Sequence, residues 1–281
     1  MDTRSVFRDG LFAGQTYIVS GGGTGIGRAI ARELAALGAT VVLCSRSLEH
    51  LEPTRDEILA AGGKADALVC NIRDAGAVNA FFATVTERHG PLAGLVNNAG
   101  GQFISPAEAI TPKGWHAVVE TNLTGAFYMS QAAFTHGLRE TGGAIVNIVM
   151  DMWRGYPGMA HSAAARAGVV NLTQTLALEW AAYGVRVNAV APGLINSSGL
   201  KTYPAEVRAQ LAVFGREVPA GRMGTEREVA AAVTFLLSPA AAFISGETLK
   251  VDGAGSLYRL QGGFTIPEHA PWPAFETGDE R

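Results

Sequence analysis

Cysteine is scarce in this chain: two in 281 residues, Cys44 and Cys70, each inside an apolar run. Neither falls in a Cys-x-x-Cys or metal-ligand spacing, which excludes a disulfide framework and a thiolate metal site. Both read as reduced core residues. No apolar run approaches the ~20 residues of a membrane-spanning helix. The opening MDTRSVFRDG lacks the apolar core of a secretory signal, and the ending Asp279-Glu280-Arg281 is not a peroxisomal address. A cytoplasmic protein without a membrane partner is the expectation. An excess of charge of one sign is also missing. The formal net charge of −3 gives no footing for nucleic acid or an anionic surface as a partner. Internal repeats and low-complexity segments are absent.

Hydrophobic residues make up 48% of the chain, enough for a sizeable core. The length suits one large α/β domain over residues 1–281. Short runs rich in Val, Ile and Leu predict strands buried on both faces: Thr16–Ser20, Thr40–Ser45, Ala65–Cys70, Gly94–Asn97, Ala144–Val149, Arg186–Ala191 and Thr248–Val251. Amphipathic stretches between them predict helices over Ile26–Leu37, Leu48–Ala61, Ala75–His89, Gly114–Arg139, Ser162–Tyr183 and Glu226–Leu237. Strand alternating with helix implies right-handed parallel crossovers. The fold expected is a doubly wound, Rossmann-like parallel sheet of seven strands with helices on both faces. From Gly262 to Arg281 three prolines, Pro267, Pro271 and Pro273, forbid a regular helix. An extended C-terminal tail from about residue 260 is expected to lie over the domain or over a neighbouring subunit.

The first strand runs into Ser20-Gly21-Gly22-Gly23-Thr24-Gly25-Ile26-Gly27 and then a helix. Glycine lets backbone approach a ligand, and the helix N-terminus presents free N–H groups and partial positive charge to a pyrophosphate. A strand before it and a helix after it are the context that makes such a turn a dinucleotide site. Ribose preference is set at the end of the second strand. That strand ends Cys44-Ser45-Arg46-Ser47, with no acidic residue from Gly38 to Ser47. Arg46 can pair with a 2′-phosphate, and Ser45 and Ser47 are further donors, so NADP(H) is the expected cofactor.

The spacing Gly21-x-x-x-Gly25-x-Gly27 resembles the short-chain dehydrogenase/reductase family. The resemblance continues through Asn97-Asn98-Ala99-Gly100, Asn122-Leu123-Thr124-Gly125 and Pro192-Gly193, and covers roughly residues 13–255. It implies that Asn98, Ala99 and Gly100 border the cofactor and that Asn71 and Ile72 flank the adenine. It also implies that the segment Pro192, Gly193, Leu194, Ile195, Asn196 and Ser197 holds the nicotinamide carboxamide. Asn97 is expected to stabilise the central strand. The resemblance further implies a homotetramer, built through the helices at Gly114–Arg139 and Ser162–Tyr183.

The family's active site has a serine, a tyrosine thirteen residues on, and a lysine four after that. Those positions fall here on Val149, Ser162 and Arg166; the family's asparagine is present as Asn122. A lone serine hydroxyl is a far poorer proton donor than a phenol of pKa ~10. Arginine can hold ribose hydroxyls but does not release a proton. Val149 has no hydrogen-bonding group. The site is therefore poorly equipped to protonate the alkoxide of carbonyl reduction. Reduction of a double bond conjugated to a thioester fits better. Charge then develops on the thioester oxygen, and Ser162, Asn122 and Arg166 can donate to it.

Within the family the chain is similar to the peroxisomal trans-2-enoyl-CoA reductases. The matching segments are Leu95–Phe103, Lys113–Val118, Glu120–Gly125, His161–Gly168 and Val251–Tyr258. His161, Ser162 and Arg166 match that group's own departures from the family. The dienoyl-CoA reductases resemble it more distantly; they keep lysine at the Arg166 position, and their tyrosine falls near Asp151. An acyl-CoA is the implied substrate. His161 is a candidate proton relay and Asp151 a candidate water ligand. Gln102, Phe103, Met152, Trp153 and Tyr156 are candidates for the acyl pocket. Arg139, Arg154, Lys201 and Arg222 are candidates for CoA phosphates. Two other readings stay open: a carbonyl reductase or alcohol dehydrogenase using His161, and a non-catalytic NADP(H)-binding sensor. The intact nicotinamide loop at Pro192–Ser197 argues against the sensor.

Overall fold

The computed structural model describes residues 6–258 and 269–275, excluding the side chains of residues 201 and 202. Strand–helix alternation runs through β1 (Thr16–Ser20), α1 (Gly25–Ala36), β2 (Thr40–Ser45), α2 (Glu52–Ala60), β3 (Lys64–Val69), α3 (Ala75–His89) and β4 (Leu92–Asn97). A helical run follows, made of α4 (Pro112–Val119), α5 (Gly125–Ala133) and α6 (Arg139–Thr141). The second half contains β5 (Gly143–Ile148), α7 (Ala160–Glu179), β6 (Val185–Pro192), β7 (Ile195–Asn196), α8 (Ala205–Glu217), β8 (Gly224–Thr225), α9 (Glu226–Leu237) and β9 (Thr248–Val251).

Seven strands form one parallel sheet in the order β3-β2-β1-β4-β5-β6-β9. The doubly wound fold expected from the sequence is the fold observed. Alternate residues of each strand enter opposite cores, as the two-residue pleat requires. Val19, Val41, Leu43 and Val96 pack with Ile30 and Leu34 of α1 and Val229 and Val233 of α9. Ile18, Val42, Leu95 and Ile145 pack with Phe82 of α3, Met129 of α5 and Leu176 of α7 on the other face. Strand order reverses between β1 and β4, which opens a crevice at their carboxyl ends where ligands of such sheets bind.

The structure departs from the expected elements in three places. The helix predicted over Gly114–Arg139 is interrupted by π-turns at Glu120–Thr124 and Phe134–Leu138. The helix α8 and the two-stranded pairing of β7 with β8 were not anticipated, because neither carries a strong apolar period. The described part of the tail, 269–275, is extended and lies on the domain. Trp272 N–H donates to the Ala220 carbonyl at 2.9 Å. Arg222 reaches the Trp272 and Pro273 carbonyls at 2.7 and 2.9 Å and pairs with Glu228 at 2.6 Å. The remainder of the expected tail lies outside the described residues.

Under the crevice, a row of buried polar side chains crosses the sheet. Asn97 Nδ2 donates to Asn147 Oδ1 at 2.8 Å and Ser130 Oγ at 2.9 Å; Asn147 Nδ2 donates to Thr173 Oγ1 at 2.9 Å. Asn97 thus ties β4 to β5 and α5, and Asn147 ties β5 to α7. Asn97→Leu strands two buried partners, and we expect it to cost about 2 kcal/mol of stability, read by denaturant unfolding. An unchanged midpoint would refute the load assigned to this row.

Candidate active site

The turn after β1 is held from β4. Ser20 Oγ donates to the Val96 carbonyl and accepts the N–H groups of Asn98 and Ala99, both at 3.0 Å. Asn98 Nδ2 donates back to the carbonyls of Ser20 and Gly21, each at 3.1 Å. The Gly23 carbonyl accepts the Thr54 hydroxyl at 2.9 Å, which ties the turn to α2. Gly27 is irreplaceable: a Cβ there would sit 2.2 Å from the Gly21 carbonyl oxygen. The first turn of α1, with Gly25, Ile26 and Gly27, follows Thr24, whose side chain makes no capping bond. Its N–H groups therefore face the crevice mouth without a side-chain cap from Thr24. Ser198 N–H donates to Glu226 Oε1 at 2.9 Å, which closes the segment after β7 against Gly25.

At the end of β2, Arg46 is exposed and forms no ion pair among the described residues. Ser45 differs from the expectation. Its hydroxyl donates to the Ser47 carbonyl at 2.6 Å and accepts the Ser47 N–H at 3.3 Å, so it is spent on the turn that presents Arg46. Asn71 lies in the turn after β3, where its carbonyl accepts the Asp74 N–H at 3.0 Å. Ile72 is buried against the start of α5 at Gly125. Pro192 ends β6. Gly193 N–H donates to the Val251 carbonyl at 3.0 Å, Ile195 pairs with Gly224, and Ser197 begins the turn leading to residues 198–202. The glycine turn and the first turn of α1 suit the pyrophosphate of a nicotinamide dinucleotide.

The expected reaction residues converge at its far end. The π-turn carries Asn122, which grips one residue through both its backbone groups: Nδ2 donates to the Gly101 carbonyl at 2.7 Å and Oδ1 accepts the Gly101 N–H at 3.1 Å. Such insertions widen a helix locally and recur at functional sites. Ser162 and Arg166 lie one turn apart on α7. Arg166 donates to the Ile148 carbonyl, and its Nε is sealed from solvent with no partner. No carboxylate pairs with it among the described residues, and burial pulls its pKa down to about 10. Gly100 makes room for this cation. A Cβ there would lie 2.3 Å from Arg166 Nη2 and 2.6 Å from Asn122 Oδ1.

Ser162 is fully buried, and its Oγ donates to Gln102 Oε1 at 3.0 Å. His161 is fully buried beside it. Its Nδ1 accepts the Ser162 N–H at 2.7 Å, and its ring meets Phe103 edge-on with centroids 4.3 Å apart. A nitrogen that accepts an N–H carries no proton, so Nδ1 is bare; Nε2 has no partner among the described residues. Val149 is buried. Burial pushes the Tyr156 phenol up, with further upward contributions from Tyr203 and Asp151, so three acidic groups share the mouth of the site. Trp153 carries the Lys250 ammonium 4.4 Å above its ring.

Two candidates for CoA phosphates are otherwise engaged. Arg154 donates to the carbonyls of Tyr258 and Gly255 at 2.5 and 2.7 Å, and Arg222 holds Glu228 and the tail. Arg139 lies over the Tyr183 ring, and the Lys201 side chain lies outside the described residues. Sequence reading missed Tyr203, whose hydroxyl accepts from Gln102 Nε2 at 3.3 Å; no local pattern marked it. No cluster of His, Cys, Asp or Glu suited to a metal occurs among the described residues.

A doubly wound sheet with this turn and this crevice defines a nicotinamide-dependent oxidoreductase. A family profile described as "Enoyl-(Acyl carrier protein) reductase" matches residues 21–255, and the chain belongs to this group of short-chain dehydrogenases/reductases. A Bacillus subtilis protein named "Probable 2,4-dienoyl-CoA reductase [(2E)-enoyl-CoA-producing]" is 41% identical, with 85% of this chain and 95% of that protein covered. A 3-oxoacyl-[acyl-carrier-protein] reductase of Vibrio cholerae is 39% identical over 85% of this chain and 96% of its own length. Among solved structures, the citronellol catabolism dehydrogenase AtuB of Pseudomonas aeruginosa is 50% identical, with a TM-score of 0.81 over 90% of this chain and 99% of its own. An actinorhodin polyketide ketoreductase variant solved with NADPH is 34% identical, with a TM-score of 0.82 over 89% of this chain and 100% of its own.

A cation buried with no carboxylate beside it among the described residues costs stability. Arg166→Met should therefore raise the melting temperature and weaken nicotinamide cofactor binding about tenfold. Calorimetry and titration calorimetry on the same samples check both. A lowered melting temperature with intact cofactor affinity would refute this role.

Proposed function

We infer that this chain reduces the 2,3 double bond of trans-2-enoyl-CoA thioesters with NADPH, in fatty acyl metabolism. The observation that carries the inference is the donor set. Ser162 stands at the family's tyrosine position, Val149 at its serine, and an uncompensated Arg166 at its lysine. Such a set has no group suited to protonating an alkoxide. It has three suited to an oxygen that gains charge: the Ser162 hydroxyl, the second amide proton of Asn122 and the Arg166 guanidinium.

NADPH, when bound, supplies the hydride that goes to the β-carbon. Gly21, Gly23, Thr24, Gly25, Ile26 and Gly27 would hold its pyrophosphate, Arg46 its 2′-phosphate, and Asn71 and Ile72 its adenine. Asn98, Ala99, Gly100 and Arg166 would hold the nicotinamide ribose, and Pro192, Gly193, Ile195 and Ser197 the carboxamide. The chain's own donors steady the thioester oxygen while the α-carbon takes a proton from water beside Asp151. We assign His161 the task of holding the Ser162 backbone beneath Phe103. The acyl-CoA names of several relatives support the substrate class, including a Caenorhabditis elegans protein named as a probable 2,4-dienoyl-CoA reductase. A homotetramer in the cytoplasm is part of the same proposal. Its outer helix faces carry Trp115 and the largely exposed Leu178.

A second reading, an alcohol dehydrogenase or carbonyl reductase, is favoured by the likeness to a citronellol catabolism dehydrogenase and by the phenols of Tyr156 and Tyr203 at the mouth. NADPH consumption across enoyl-CoA, dienoyl-CoA, aldehyde and ketone substrates separates the two. Turnover of enoyl-CoA is expected; turnover of aldehydes alone would overturn the first reading. Arg46→Asp should weaken NADPH binding by on the order of tenfold or more and NADH binding little. Equal losses would refute the phosphate role.

A further inference from the structure

Ser162 cannot donate to a substrate in the arrangement it holds. A hydroxyl has one proton, and that proton is directed at Gln102 Oε1, 3.0 Å away. The remaining neighbour, Met150 Sδ at 3.7 Å, adds no donor. The amide that takes the proton is gripped from its other end, where Gln102 Nε2 donates to the Tyr203 hydroxyl at 3.3 Å. The row joins the first turn of α7, the segment after β4 and the approach to α8. A side-chain amide offers a donor and an acceptor at equal reach, and turning it by half a revolution exchanges them. A phenol hydroxyl serves either state, accepting in one and donating in the other. With the amide turned, Nε2 donates to Ser162 Oγ, Oε1 accepts the Tyr203 proton, and the Ser162 proton is released into the site. Each state keeps two hydrogen bonds within the row, so turning the amide exchanges donors and acceptors without losing a bond inside it.

We propose that Gln102 is a positioning residue that aims the Ser162 hydroxyl at the acyl oxygen, with Tyr203 holding the amide in the turned state. Gln102 is exposed. An acyl oxygen that enters beside Ser162 takes its proton in place of Gln102 Oε1, and the turned Oε1 accepts the Tyr203 proton instead. The proposal rests on Ser162 donating to the reacting oxygen, as inferred above.

The test is single-turnover NADPH oxidation with crotonyl-CoA by the full chain and by Ser162→Ala, Gln102→Leu, Gln102→Glu, Tyr203→Phe and the double variant S162A/Q102L. Ser162→Ala should slow the reaction by on the order of 10²-fold. Gln102→Leu should slow it about tenfold without changing KM, and by less than about twofold when Ser162 is already alanine. Gln102→Glu is the deciding variant. It matches glutamine in shape, yet its carboxylate only accepts, so it keeps the Ser162 proton turned away. It should be at least as slow as Gln102→Leu, whereas a residue that merely filled space would be rescued by it. Tyr203→Phe should fall between Gln102→Leu and the unaltered chain. A near-normal rate for Gln102→Glu, or an equal factor for Gln102→Leu with and without Ser162, would overturn the proposal while leaving the enoyl reduction standing. An unchanged rate for Ser162→Ala would overturn the proposal together with the donor role of Ser162, while enoyl reduction itself would stand. If crotonyl-CoA is not consumed by the unaltered chain, the functional reading fails by itself, and the same cycle on the substrate found in the panel decides the coupling.

Discussion

Ser20 Oγ joins the ends of the two strands between which the sheet reverses its order. By donating to Val96 and accepting from Asn98 and Ala99, it locks the turn after β1 to the turn after β4. Asn98 completes the lock from the other direction through the carbonyls of Ser20 and Gly21. The approach is so close that Gly27 touches the Gly21 peptide with no room for a side chain. Every group at the crevice is placed relative to this lock. It sets where the first turn of α1 ends and where the segment carrying Gly100, Gly101 and Gln102 begins.

The second half of the site is placed by α7. Ser162, Arg166, Val169 and Thr173 recur at spacings of four, three and four, which puts them on one stripe of the helix. Thr173 is tied through Asn147 to Asn97 at the centre of the sheet, and Val169 is buried. The stripe thereby aims Ser162 and Arg166 at the end of β5 and the loop beyond β4. The amide protons of Asn97 and Asn147 in this row are hydrogen-bonded, and these bonds fix the alignment of α7 on the sheet. Arg166 sits at the end of this alignment. Its guanidinium meets the Ile148 carbonyl and space kept open by Gly100, and no carboxylate among the described residues.

The strands were legible because a parallel strand covered on both faces must be apolar throughout. β1, β2 and β9 fall where the apolar runs predict, and the other four main strands differ by one or two residues at an end. The glycine turn was legible for a related reason, since close backbone approach leaves only one residue type. The π-turn at Asn122 was not legible. Its cause is a grip on Gly101, twenty-one residues away, and helical periodicity carries no trace of such a partner. Arg154 and Arg222 read as free surface cations, yet the carbonyls that engage them come from residues as much as 104 and 51 positions further along.

By itself, the sequence determined the order of strands and helices, the glycine turn between β1 and α1, the exposed cation after β2, and the exchange of tyrosine and lysine for Ser162 and Arg166. Each is a property of residue type or of short-range spacing. Tertiary structure alone decided that Arg46 forms no ion pair among the described residues while Arg154 and Arg222 are engaged. It alone decided that Ser45 serves its own turn, and that the Ser162 proton faces Gln102 with Tyr203 behind it. The physical reason is that a hydrogen bond depends on what is opposite. The groups opposite Ser162 and Gln102 come from 60 and 101 residues away.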